Sequence, residues 1–195
     1  MVKTNYIFFI CVFFLGVACN STFVPKPKGY FNIQLPPHKY KVYDVPGAPY
    51  KFEYPVYAKV IKDTSFFGDK PDNPWWINID FPELNGRIYV SYKDLTKDNL
   101  NKMVNDAFKL TYKHTSKATK IEDVPILTPN GVHGVFFSVG GNAATAKQFF
   151  LTDSVKHFLR GALYFDATPN EDSLSIVNNF IQKDLEHLIN SFEWK

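Results

Sequence analysis

The sequence is short of nearly everything that announces an enzyme. Cysteine is scarce: two in 195 residues, Cys11 and Cys19, too few for a disulfide framework or a thiolate zinc site. No apolar run reaches the ~18 to 20 residues of a membrane-spanning helix. There is no His-Glu-x-x-His, no Asp-rich calcium loop, no Gly-rich phosphate loop and no Gly-x-Ser-x-Gly elbow. The five histidines, His38, His114, His133, His157 and His187, are scattered without an i,i+4 pair. No metal and no cofactor is therefore indicated. A strong charge of one sign is also lacking, since 22 basic and 19 acidic residues give 22 − 19 = +3. That is no footprint for nucleic acid. With 45% hydrophobic and 21% charged residues the composition is that of a globular protein, and the length suits one domain.

What is present begins at the amino terminus. Met1 to Tyr6 carries one positive charge, Lys3, and Ile7 to Ala18 is an apolar segment of signal-peptide length. It ends Leu15-Gly16-Val17-Ala18-Cys19, which resembles the lipobox of bacterial lipoproteins, with Leu one place further from the cysteine than that family prefers. The resemblance implies removal of residues 1–18 and acylation of Cys19. The mature charge would then be 21 − 19 = +2, and no free thiol would remain. Acyl chains contribute ~0.8 kcal/mol per buried methylene, so two or three of them hold a protein on a membrane without a spanning helix. Residues 19–29 would be the acylated cysteine and its tether, because Pro25-Lys26-Pro27-Lys28 favours an extended, polyproline-like chain.

Residues 30–195 read as one α+β domain. Ten of the 13 prolines fall between Pro25 and Pro82, which bars long helices from that half. Short strands fit instead: Tyr30 to Leu35, Tyr40 to Asp44, and Tyr50 to Tyr54. Trp75 to Phe81 and Arg87 to Tyr92 alternate apolar and polar residues around Asn85-Gly86, predicting an antiparallel hairpin. Thr96 is expected to cap a helix reaching about His114, with Leu100, Met103, Val104, Ala107 and Phe108 as its buried stripe. Strands are predicted at Val132 to Val139, Lys147 to Thr152 and Phe158 to Phe165, the first two joined by Gly140-Gly141-Asn142. A last helix is predicted at Asp172 to Ser191, with Leu174, Val177, Phe180, Ile181, Leu185, Leu188, Ile189 and Phe192 as its buried stripe behind a Thr168-Pro169 start. The element order predicts an antiparallel sheet with packed helices, and resembles the Mog1/PsbP-like α/β sandwich.

Two places are candidates for binding. Trp75 and Trp76, adjacent on an expected strand, should point to opposite faces; whichever is not buried would be an interface anchor. The second place is the polar run Asp153, Ser154, Lys156, His157 and Arg160. Ser, His and Asp here lie too close in sequence for a triad, whose members come from separate elements. A tight turn, with Asp153 and Ser154 bonding backbone amides, is the expected structure. Exposed aromatics between Tyr40 and Trp76 would suit a soluble-ligand or glycan binder. An envelope hydrolase would need His157 or His133 joined to a carboxylate and a nucleophile.

Several segments together carry a family resemblance. They are Cys19 with Val24-Pro25-Lys26-Pro27-Lys28-Gly29-Tyr30, Phe52-Glu53-Tyr54-Pro55, Trp76-Ile77-Asn78, Tyr89-Val90-Ser91-Tyr92-Lys93, Thr111-Tyr112-Lys113-His114, Asp153 to Phe165, and Phe192-Glu193-Trp194-Lys195. With these the chain resembles the gliding motility lipoprotein GldD family of the Bacteroidota. The resemblance implies a membrane-anchored lipoprotein required for gliding, a process tied to type IX secretion, and carries over no catalytic residue. Its implied partners are membrane lipid, through Cys19, and other motility or secretion proteins of the envelope. Asn20-Ser21-Thr22 is uncharged, whereas surface-exported lipoproteins of that phylum often carry acidic residues there, which favours the periplasmic side.

Overall fold

Alternating side chains decide most of the architecture. The computed structural model describes residues 34–64, 70–96 and 98–195, and Leu35–Lys195 is a compact unit. Cys19, the signal segment and the Pro/Lys stretch lie outside the described residues. So does most of the expected Tyr30 to Leu35 strand, of which Gln34 and Leu35 are described and are not in a strand.

The strands are β1 (Tyr40–Tyr43), β2 (Tyr50–Pro55), β3 (Lys59–Lys62), β4 (Ile77–Phe81), β5 (Gly86–Asp94), β6 (Ala118–Leu127), β7 (His133–Gly141), β8 (Lys147–Thr152), β9 (His157–Phe165) and β10 (Glu193–Trp194). Helix α1 (Leu100–Tyr112) precedes β6, and helix α2 (Glu171–Ser191) lies between β9 and β10. Seven strands form one sheet in the order β3-β4-β5-β9-β8-β7-β6, and β1-β2-β10 form a second. Every pairing is antiparallel.

The large sheet is covered on both faces. Ile77, Ile79, Ile88, Val90, Tyr92, Phe149, Leu151, Leu159 and Leu163 share one face with the α2 stripe and with Tyr50 and Phe52 of the small sheet. Each such residue contributes ~1.5–3 kcal/mol by leaving water. On the other face α1 packs Leu100, Met103, Val104, Ala107 and Phe108 over Phe137, Phe150 and Phe158. The expected α+β class, an antiparallel sheet with packed helices, is what forms.

Several boundaries differ from the sequence reading. Thr96 does not cap α1; its amide donates to Asn99 Oδ1 at 2.9 Å, making a turn that delays the helix to Leu100. The cap of α2 is Asn170, not Thr168, because Asn170 Oδ1 accepts from the Ser173 amide at 3.0 Å. Glu171 and Asp172 then favour the positive helix end. Strand β7 runs on through Gly141, so the turn follows Asn142 and closes with Val139 N donating to Ala146 O at 2.8 Å. Trp75 and Trp76 precede β4 and are not part of it. In the β4–β5 hairpin Pro82–Leu84 makes a single 3-10 turn, and Asn85 takes a left-handed φ of 48°.

Candidate functional site

The turn between β8 and β9 is rigid because one carboxylate serves three amides. Asp153 Oδ1 accepts from Val155 N at 2.9 Å, Lys156 N at 2.8 Å and His157 N at 2.9 Å. Burial opposes ionisation, but the three donors outweigh it and hold the Asp153 carboxyl below its ordinary range. Ser154 takes φ 64°, and its amide donates to Thr152 Oγ1 at 2.9 Å. Thr152 Oγ1 donates in turn to His157 O at 2.7 Å. Asp153 therefore performs the turn role expected of it, while Ser154 contributes its backbone instead of its hydroxyl. The tip is presented outward: Ser154 and Lys156 are exposed, and Val155 is 69% exposed.

His157 faces inward from that turn. Its Nδ1 lies 2.6 Å from Tyr92 Oη, and Tyr92 Oη donates to Asp94 Oδ1 at 2.8 Å. Its ring stacks on Trp194 at 5.0 Å between centroids and 15° between planes. Burial, then the Asp94 bond, pushes the Tyr92 hydroxyl well above its usual range. A hydroxyl held protonated is the reverse of an activated nucleophile. Asp153 is committed to amides and not to the imidazole, so Asp153, Ser154 and His157 do not make a triad geometry. Among the described residues there is no cluster of three metal-ligating side chains.

Trp76 and Arg160 meet elsewhere, in a groove beside α1 on the second face of the large sheet. Trp76 is 8% exposed, and its Nε1 donates to Tyr92 O at 2.7 Å. Trp75 is half-buried; its carbonyl accepts from the Tyr50 hydroxyl, and its ring lies against Gly47. Arg160 is half-buried and donates to Gln148 Oε1. The structure thus separates the seven candidates into an exposed turn tip with Asp153, Ser154 and Lys156, the inward His157, the half-buried Trp75, and a groove with Trp76 and Arg160. From Tyr40 to Trp76, Tyr50, Phe52 and Trp76 are buried, and Tyr40, Tyr43, Tyr54, Tyr57 and Trp75 are half-buried. None of these described rings is exposed as a stacking platform for a sugar would be.

One cluster escaped the sequence reading. Asp184 of α2 has a side chain 2% exposed. Its Oδ1 is 2.6 Å from His38 Nδ1 and accepts from Tyr40 Oη at 3.0 Å, while Oδ2 accepts from Tyr57 Oη. Burial, then the bond to Asp184, pushes the Tyr40 hydroxyl up to about 12. Tyr40 also stacks on His187 at 3.5 Å, and His187 Nε2 lies 2.6 Å from Glu53 Oε2. The available signal was periodicity: Asp184 follows Val177 and Ile181 on the apolar stripe and precedes Leu188. An acid at such a position needs partners.

These elements define a layered α+β domain that displays a stiff turn at one place and a groove beside α1 at another. Residues 20–194 match the family described as gliding motility lipoprotein GldD, and the chain belongs to that family. Membership makes it a lipoprotein of gliding motility, a class anchored in the cell envelope. Among the described residues no helix is long and apolar enough to cross a membrane. Among solved structures it is similar to the solution structure of cyanobacterial PsbP (CyanoP) from Synechocystis sp. PCC 6803. The identity is 13%, the alignment covers 86% of this chain and 98% of that one, and the TM-score is 0.47, a likeness too distant to carry a conclusion. No curated protein matches the chain.

Proposed function

We propose that the protein is a non-enzymatic assembly component of the gliding machinery, held on the periplasmic side of a membrane by acyl chains on Cys19. Residues 1–18 are removed, residues 19–29 are the anchor and tether, and residues 30–195 make contact with motility or type IX secretion proteins. The observation that carries this reading is the family match over residues 20–194, which takes in nearly everything downstream of Cys19. The turn tip supports it, since Ser154, Val155 and Lys156 stand exposed on a frame fixed by Asp153. A loop already ordered loses little entropy on binding a partner.

Cys19→Ala tests the reading. With processing and protein level checked, gliding is expected to be lost and the protein to leave the membrane fraction. Full gliding by cells whose protein is present but unacylated would show that the anchor is not essential. Crosslinking in native envelopes, with the captured protein identified by mass spectrometry, would then name the contact of the turn tip.

A further inference from the structure

Helix α1 covers only part of the sheet face on which it packs. Beside it lies a groove of about 480 Å³, within the ~300–1,000 Å³ of small-molecule sites. Tyr89, Phe158 and Ala162 line it from the sheet, Trp76 from the segment before β4, and Met103 and Ala107 from the helix. Such a lining is apolar enough to hold a hydrocarbon body, and Met adapts to irregular shapes.

Arg160 is the feature that needs explaining. A guanidinium has five donors and stays charged at physiological pH. Among the described residues its acceptor is the amide oxygen of Gln148, and no carboxylate pairs with it. That same oxygen also accepts from Thr111 Oγ1 at 3.3 Å, and Gln148 Nε2 is buried without a partner. A half-buried cation served by one shared neutral acceptor retains open donors toward the groove it lines. The other charged lining groups are Lys93, Lys113 and Asp106, so the sum is 3 − 1 = +2. Lys93 is already paired, with Asp72 at 2.9 Å. His114 adds no charge near neutrality, because burial and then Arg160 lower its affinity for a proton. Cationic floor and apolar walls are complementary to one kind of molecule.

We propose that this groove binds a single-chain amphiphile with an anionic head, the head on Arg160 and the acyl tail along Trp76, Tyr89, Met103 and Phe158. The head is a carboxylate or a phosphate monoester, and both present oxygens that a guanidinium can bond in pairs. A lipoprotein stands where such molecules are at hand.

The test uses the full chain reconstituted in vesicles of zwitterionic phospholipid, with a 12-carbon carboxylate carrying a terminal diazirine as the probe. After photolysis, mass spectrometry is expected to place the label on peptides containing Trp76, Met103 or Leu110. Unlabelled dodecanoate or dodecyl phosphate should compete, and dodecyltrimethylammonium, with the same tail and the opposite charge, should not. The stronger of the two anionic competitors assigns the head. Arg160→Gln should lower labelling about tenfold or more, the range for losing a charge-assisted hydrogen bond. Lys113→Glu, at an exposed position, should lower it about two- to fivefold, and keeps the test valid if the Arg160 variant misfolds. Labelling unchanged in both folded variants, equal competition by the cationic amphiphile, or label scattered over the surface would each overturn the proposal.

Discussion

Replacing Asp184 with alanine should loosen one edge of the domain and leave the other intact. The carboxylate accepts from His38, Tyr40 and Tyr57, so three groups lose their acceptor together. Charge-assisted hydrogen bonds are worth ~1.5–3 kcal/mol each, a gross loss of ~4.5–9 kcal/mol. Against this, the variant no longer buries a carboxylate, a cost of several kcal/mol, and the half-exposed His38 and Tyr40 can turn to water. A net destabilisation of ~3 kcal/mol remains. For a domain of this size each kcal/mol moves the melting temperature by ~2–4 °C, so the expected fall is roughly 6–12 °C by circular dichroism. Asp184→Asn keeps one acceptor oxygen and should lose about half as much. Hydrogen exchange should quicken across residues 38–57 and hold steady in β7 to β9. A melting temperature within about 2 °C of the parent, or faster exchange centred on α1, would refute the reasoning.

Other perturbations read separate parts of the fold. Asp153→Ala should cost ~1–2 kcal/mol, the range for removing a side-chain cap from backbone amides, measured by urea denaturation. Because the folded Asp153 carboxyl titrates below its unfolded value of 3.8, its contribution is full above that pH and fades below it; the variant should show a shallower loss of stability in acid. Tyr40 has the opposite sign: its folded value is raised from 10.0 to about 12, so its contribution is full below pH 10.0 and is lost as pH rises towards about 12. Tyr40→Phe should remove part of that alkaline limb in pH-dependent melts. Gly134→Ala would place a Cβ 1.9 Å from the Phe150 carbonyl oxygen, and should destabilise by ~1–3 kcal/mol or more, visible as a lower melting temperature with unchanged secondary structure.

The legible parts of the fold were those in which side chains carry the pattern. Strands β4 and β5 alternate strictly enough that the sequence alone assigns Ile77, Ile79, Ile88 and Val90 to one face. Strand β6 was not legible. Seven of its ten residues are exposed, among them Val124, Pro125 and a Leu127 that is 75% exposed. It is an edge strand held by backbone pairing to β7, and neither alternation nor burial marks it. The same reason hid β3 and the two-residue β10. At the candidate site, the Asp153 turn was readable because an Asx turn is local chemistry within a few residues. The meeting of Arg160 with Trp76 and Met103 was not, since it joins β9, the segment before β4 and α1 across the sheet. Asp184 was obscured differently: a stripe of apolar residues drew attention from the one acid standing in it.

Under the proposed anchoring, the pairing of β1 with β2 has a mechanical meaning. Tyr40 opposite Pro55 is the open end of that hairpin, the place where a pull on the chain before Leu35 would begin to peel bonds away singly. His38, Tyr40 and Tyr57 clasp Asp184 at that spot. A pull on that side would meet the Asp184 clasp of helix α2 and the first rung of the small sheet together, because Tyr40 belongs to both.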